Sequence, residues 1–294
     1  MPELPEVETV ACSLAPRIVG RRLLFCRILT DRWRMGAEDF DLEECAGRVV
    51  TGVGRRGKML LLHFDNNRTW MVHFKMTGGF LWEKEEISLN KHIHAVFGFA
   101  GVEEELRYRD VRKFGYMRCF ATSRLATAAG IRHLGPEPLE MTLREFLERM
   151  EGRQGRIKPL LLDQSFIAGI GNIYADEILF RSGIHPLTPA GRLSPTKRET
   201  LYSAIRDLLT EAVASGGSSI RDFRDSEGRQ GRFQISHQVY SRKGEDCPVC
   251  GNPIDRIQVG GRSSFFCPRC QPLKRKISGG CSSEPGPSTG SKGR

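Results

Sequence analysis

Four cysteines near the C-terminus are spaced C-x2-C-x16-C-x2-C: Cys247, Cys250, Cys267 and Cys270. Each C-x2-C pair can present two thiolates to one tetrahedral ion, and a sixteen-residue spacer is long enough for a hairpin that returns the second pair to the first. The competing explanations are chance pairs or a redox dithiol. A redox dithiol needs only one pair, and no thioredoxin-like βαβ pattern surrounds these. The spacing therefore predicts one structural Zn2+, because four protein ligands leave no open position for chemistry. Gly260, Gly261 and Arg262 fall where the hairpin would turn, placing a cation at its tip.

The second chemical signal is the chain start, MPELPEVETV. Removal of Met1 would expose Pro2 as a secondary amine. An α-amine titrates near 8, well below a lysine, so it is a usable nucleophile at neutral pH. Glu3 is adjacent and Glu6 lies one helical turn on, and paired carboxylates beside an amine can carry protons. On spacing alone a plainer reading is the stronger one: Pro and Glu simply begin a helix well.

The surrounding pattern supplies elements to hold such groups. Val7, Val10, Ala11 and Leu14 recur at helical spacing, which predicts a helix from about residue 5. Residues 58–64 and 69–74 flank a polar turn, and 94–99 and 106–110 flank a Gly101 loop. These are hairpin signals, and the stretch 58–120 reads as antiparallel β-structure. LGPEPLE (134–140) reads as a linker, after which the period becomes helical. Thr142 and Glu145 form a capping box, 172–182 reads as a helix stopped by Gly183, and Ser194-Pro195 opens another that ends at Gly216-Gly217. Residues 218–236 read as a mobile loop and the tail from about 277 as disordered.

Net charge is +10 over 294 residues. Residues 229–276 hold ten Lys/Arg against three acids, so much of the surplus sits in one stretch. That imbalance fits a polyanionic partner, though a solubilising surface would also produce it. No eighteen-residue apolar run and no apolar leader occur, so neither a membrane span nor a signal peptide is expected. The expected location is cytoplasmic, associated with the nucleoid. The scattered Cys12, Cys26, Cys45, Cys119 and Cys281 are expected to be reduced.

The start MPELPEVETV closely resembles that of formamidopyrimidine-DNA glycosylases. The resemblance continues in order through RRGKMLLL (55–62), HFKMTGGF (73–80), KHIHAVF (91–97), YRDVRKFG (108–115), HLGPEPL (133–139), IKPLLLDQ (157–164), GIGNIYADE (169–177), QVYSRKGEDCPVC (238–250) and the GGR…CPRCQ hairpin (260–271). It implies an α+β fold: an N-terminal β-sandwich with flanking helices (1–133), a helical helix-two-turn-helix domain (134–236), a four-cysteine zinc hairpin (237–271), and a tail (272–294) without counterpart. It implies a monomer acting on damaged double-stranded DNA in base-excision repair. The activity would be removal of oxidised purines (8-oxoguanine, formamidopyrimidines), followed by AP lyase cleavage through β,δ-elimination.

In that scheme Pro2 attacks the sugar and forms a Schiff base, Glu3 is the general acid, Glu6 helps place it, and Lys58 assists elimination. Arg262 joins this set as a phosphate-gripping residue. Met76, Arg112 and Phe114 match residues that fill the gap left by an extruded base, which costs a few kcal/mol to open. His92, Arg112, Arg153, Lys158, Asn172 and Tyr240 match DNA-contacting positions. Asn172 also follows Gly169 and Gly171 at a helix start, where free N–H groups bind an anion. Two departures stand out: Lys75 where a glycine is common, and Lys113 where arginine is usual. The alternatives are an endonuclease VIII-like enzyme acting on oxidised pyrimidines, or a zinc-ribbon DNA-binding protein without chemistry.

Overall fold

In the computed structural model, Leu4–Ile18 forms the first helix, α1. The Glu3 N–H donates to Glu6 Oε2 at 2.7 Å, satisfying a donor that a helix start otherwise leaves open. Val7, Val10, Ala11, Leu14 and Ile18 are buried on one face, and Pro5 sits in the first turn, where its missing N–H costs nothing. The structure describes residues 1–30, 33, 40–220 and 223–273. Residues 274–294 of the expected tail (272–294), Cys281 among them, and residues 221–222 of the expected loop lie outside them.

The α1 face packs on a sandwich of two antiparallel four-stranded sheets. One runs β1 (Leu23–Ile28), β6 (Ile93–Phe99), β7 (Glu105–Asp110), β5 (Gly78–Glu83). The other runs β2 (Val50–Arg56), β3 (Met59–Phe64), β4 (Arg68–His73), β8 (Tyr116–Ala121). Their inner faces meet through aromatic rings, with Trp70 5.2 Å from Phe97 between centroids, while Phe80 and Tyr108 pack 5.5 Å apart within the first sheet. Rings of this size dominate core burial, and offset or tilted pairs add to it. Both expected hairpins, β3–β4 and β6–β7, are present. Strands β1 and β2 had no sequence expectation. VTGVGRR carries two glycines and two arginines, and it becomes a strand by pairing with β3 from Val50↔Phe64 to Arg56↔Met59.

A second core is helical. It packs α2 (Leu143–Met150), α3 (Ile157–Leu162), α4 (Asn172–Arg181) and α5 (Pro195–Ala214). The Thr142–Glu145 capping box is present, and Ser194 caps α5 with Pro195 in its first turn. Leu4, the first residue of α1, belongs to this helical core, whereas Val7 and the residues after it belong to the sandwich. Leu4 N–H also donates to the Gly169 carbonyl at 3.0 Å. The chain start is therefore tied into both layers.

Two stretches differ from expectation. Segment 134–140 is a clasp as well as a connection: Glu137 accepts the Gly57 N–H at 2.6 Å, Arg55 at 2.5 Å and Arg56 at 2.8 Å. Within 218–236 the described residues are tied to their surroundings. Ser226 lies 2.7 Å from Ser13 Oγ, Ser219 N–H reaches Gln234, and Asp225 collects the Glu227 and Arg229 N–H groups.

The Glu137 clasp has a measurable consequence. The Arg55 and Glu137 side chains are each 8% exposed; Glu137→Ala leaves Arg55 with Glu8 but strands the Gly57 N–H. Leaving a buried donor unsatisfied costs about 1–3 kcal/mol. A urea unfolding midpoint should fall accordingly, and an unchanged midpoint would show that the clasp contributes nothing.

Candidate active site

Glu3 precedes α1, but its carboxylate reaches the start of another helix. Oε2 accepts the Gly171 N–H at 2.6 Å and Oε1 the Ile173 N–H at 3.1 Å. A helix N-terminus offers free donors and the positive end of its dipole, so it holds an anion well. Gly171 is needed here because a Cβ would lie 2.2 Å from Glu3 Cδ.

Glu6, one turn along, is fully enclosed. Its Oε2 takes the Glu3 N–H, while Oε1 takes the Tyr174 hydroxyl at 2.5 Å and the Ser218 N–H at 2.7 Å. Burial, reinforced by the neighbouring Glu3 carboxylate, raises its pKa above the ordinary carboxylate range. Glu6 is thus the carboxyl of the pair suited to retaining a proton.

Lys58 sits in the turn between β2 and β3 and is only 8% exposed. Burial lowers its pKa, the Glu3 charge opposes that shift, and Arg262 adds to it. Pro2 is buried beside these groups and, with Glu6, lines a cavity of about 560 Å³. Met1 lines the same space, and Met76, Arg112, Ile173 and Tyr240 form other parts of the wall.

Above that cavity stands a loop held by Asp110. The buried Asp110 carboxylate accepts the Thr77 hydroxyl, the Arg112 N–H and the Gly115 N–H. Bracing from behind leaves the tips free: Met76 is 41% and Phe114 53% exposed. Residue type alone would put both in a core, and the structure puts neither there. The Arg112 guanidinium lies 4.8 Å from the Phe114 ring centroid, so the two share one platform. Lys75, just before Met76, has φ +52°, the left-handed region that favours glycine. That explains physically why glycine suits this position.

The cysteine spacing becomes a closed cluster. All four Sγ atoms lie within 4.8 Å of one another, with Cys247–Cys270 at 3.8 Å and Cys250–Cys267 at 3.5 Å. Four sulfurs at about 2.3 Å from a tetrahedral zinc would stand about 3.8 Å apart, so the donor set fits one structural zinc. β9 (Asp255–Val259) and β10 (Arg262–Phe266) form the returning hairpin, and Gly260 and Gly261 take φ +55° and +75° in its two-residue turn. Arg262 leaves that turn exposed. Gln271 anchors the hairpin to the helical layer, accepting Cys267 N–H and donating to the Ile184 carbonyl at 2.8 Å.

The expected DNA-contacting residues do not all fare alike. Lys158 requires a correction, because its side chain is 0% exposed and cannot meet a phosphate in this arrangement. Its Nζ donates to Asp176 Oδ1 at 2.7 Å and to the Ser263 carbonyl at 2.9 Å. Asp176 Oδ2 in turn accepts the Phe265 N–H. Lys158 is a strut between α3, α4 and β10. Asn172 also bonds the Ser263 carbonyl, at 3.1 Å, and its Oδ1 is buried without a hydrogen-bond partner. Arg153 is exposed, with its guanidinium 5.8 Å from the Phe166 ring centroid. His92 is half-buried at the edge of β6, its Nδ1 shielded and without a hydrogen-bond partner. Tyr240 lies edge-on between His237 and Phe265 and faces the cavity. Asp110, Asp176, Tyr174 and Ser218 had no place in the sequence reading. The motifs YRDVRKFG, which contains Asp110, and GIGNIYADE, which contains Tyr174 and Asp176, could have pointed to three of them.

Comparison with known proteins identifies the class. Residues 1–117 match the formamidopyrimidine-DNA glycosylase N-terminal domain, residues 134–224 its H2TH domain, and residues 244–273 the zinc finger found in FPG and IleRS. The chain belongs to the formamidopyrimidine-DNA glycosylase family. Among individual relatives, the formamidopyrimidine-DNA glycosylase of Pelotomaculum thermopropionicum is 43% identical over 93% of this chain and 100% of its own length. That of Bacillus subtilis is 40% identical over 93% and 100%. A Lactococcus lactis FPG variant in complex with Fapy-dG DNA superposes with TM-score 0.85 at 35% identity, covering 92% of this chain and all of that one. MutM bound to carbocyclic 8-oxo-G DNA superposes at 0.84, with 36% identity and coverage of 92% and 100%.

If the cysteine cluster holds the hairpin, purified protein should contain one zinc per chain. Cys267→Ser should release it and weaken DNA binding, because coordination energy is folding energy in so small a unit. Fully active protein without bound zinc, measured by elemental analysis, would contradict this.

Proposed function

We propose that this protein is a base-excision repair enzyme that removes oxidised purines, 8-oxoguanine and formamidopyrimidines, from double-stranded DNA and then cuts the strand as an AP lyase. The observation that carries the reading is the placement of Pro2 beside an anchored carboxylate pair, beneath a cavity walled by exposed residues suited to entering a base stack. Relatives solved with Fapy-dG, 8-oxo-G and abasic-site DNA support the substrate class. Among the described residues no helix is long and apolar enough to cross a membrane. We take the working form to be a monomer acting on chromosomal DNA in the cytoplasm.

In this reading the Pro2 nitrogen, freed of Met1, attacks the sugar's anomeric carbon. The damaged base leaves, and the iminium acidifies the adjacent carbon so that β- and then δ-elimination follow. Glu3 supplies the proton for sugar ring opening and carries protons afterwards, with the α4 terminus fixing its position. Glu6 holds the Glu3 backbone. Lys58, whose burial favours its neutral form, assists elimination. Met76, Arg112 and Phe114 fill the vacated stack. Arg262, Arg153, His92, Asn172 and Tyr240 line the path of the sugar–phosphate backbone. Zinc takes no part in the chemistry and keeps Arg262 in place.

Borohydride should trap the protein on damaged DNA through its first residue. Pro2→Gly should keep some trapping, because a terminal amine remains, while a retained Met1 or an N-terminal tag should abolish it. Glu3→Gln should slow excision strongly and leave DNA affinity nearly unchanged. Peptide mapping decides the nucleophile, and DNA attached at Lys58 would overturn the assignment.

The wedge makes a separate claim. Arg112→Ala and Met76→Ala should slow removal of 8-oxoguanine far more than cleavage at a preformed abasic site, where no base has to be extruded. Equal losses on the two substrates would refute a stack-filling role.

A further inference from the structure

The hydrogen bonds of Glu6 continue past the site. Its partner Tyr174 has its oxygen 3.2 Å from Ser218 Oγ, and Ser218 Oγ is 3.0 Å from His237 Nε2. All four side chains are buried. Glu6 lines the cavity beneath the wedge, whereas His237 lines a second cavity of about 520 Å³ together with Gln234, Arg242 and Glu245. Ile220 and Tyr240 face both cavities and so stand between them.

Donor counting orders the chain. In its ionised, proton-accepting form Glu6 only accepts, so Tyr174 donates to it. The tyrosine oxygen is then left to accept the Ser218 hydroxyl, and the serine oxygen accepts the Nε2–H of a neutral His237. Every link points toward Glu6. Burial pushes the His237 pKa down to about 4, so the ring is neutral at working pH, as this arrangement requires. Its position is set by edge-on contact with Phe233 and Tyr240 and by Arg242, which donates to the His237 carbonyl at 3.2 Å.

We propose that Tyr174, Ser218 and His237 form a proton wire that reloads Glu6 from the second cavity while DNA occupies the first. The wire rests on the reading of the first cavity, which Pro2 and Glu6 both line, as the reaction site. In one passage Nε2 gives its proton to Ser218, Ser218 gives its own to Tyr174, and Tyr174 gives its own to Glu6. His237 Nδ1 takes a proton from hydronium or a buffer acid in the second cavity. One proton moves inward, no charge remains on the intermediates, and His237 ends as the other neutral tautomer. The reverse passage clears a proton from Glu6. A full cycle needs both directions, because ring opening consumes a proton at the site and the eliminations release them.

A merely structural chain and a working wire respond differently to His237→Asn, which retains an N–H donor for Ser218 but cannot exchange tautomers. The test is single-turnover excision of 8-oxoguanine by the full chain in mixtures of light and heavy water. It compares wild type, His237→Asn and His237→Ala, with affinity for an abasic-analogue duplex measured alongside. We expect a bowed proton inventory in wild type. Both variants should be slower, by about 10²-fold, with straight inventories and unchanged affinity. A straight inventory in wild type, a wild-type rate in His237→Asn, or a bowed inventory surviving in either variant would overturn the wire. If His237→Ala does not fold, His237→Asn alone decides. Failure of the wild-type protein to trap on abasic DNA would instead sink the reading that the wire serves.

Discussion

The Glu3 carboxylate cannot be moved without disturbing both layers of the protein. It bridges the start of α1, whose face builds the sandwich core, to the first amides of α4, which lies in the helical core. Gly171 has no room for a side chain against it. Leu4 fills the helical core directly behind. Pro2, the proposed nucleophile, thus lies beside a chain terminus, normally the most mobile part of a protein, yet two cores, a helix dipole and a buried carboxylate pair leave it little freedom. Effective catalysis depends on such restriction of the reacting geometry. The surroundings repeat the theme: Glu137 fixes the turn carrying Lys58, and Asp110 fixes the loop carrying Arg112 and Phe114.

Much of this was legible wherever the pattern was local. The α1 face, the Thr142–Glu145 box, the two hairpins and the cysteine spacing depend on residues a few positions apart, or on ligand chemistry that tolerates few alternatives. The unreadable parts depend on partners far along the chain. Strands β1 and β2 take their character from neighbours in the sheet. Lys158 is charged, and a charged residue is ordinarily placed at the surface. Asp176, eighteen residues on, makes its burial possible. Met76 and Phe114 err the opposite way, as apolar residues held out of any core by a carboxylate they flank. His237 gave no signal at all, since its meaning comes from Ser218 and Tyr174.

Lys75 and Lys158 together show why matching a family position by position has limits. Lys158 was matched to a DNA-contacting position, and Lys75 departs from the family motif beside Met76. Lys75 holds a backbone conformation in which a β-carbon is strained, so its cation is bought with local conformational energy. Lys158 keeps its charge but spends it inside, tying the hairpin strand to α4. The same residue type a few ångströms deeper becomes framework.

Helix α1 begins in one core and continues in the other, and this has a mechanical meaning. Two bodies that share a rod turn about it, and points on the rod travel least. If the cleft widens to admit a duplex and narrows around it, the rim carrying Arg262 and Phe114 sweeps the greatest arc, while the proline at the end of the rod stays almost still. In the proposed mechanism the reacting nitrogen lies close to that axis, so the grip on DNA could change without retuning the chemistry.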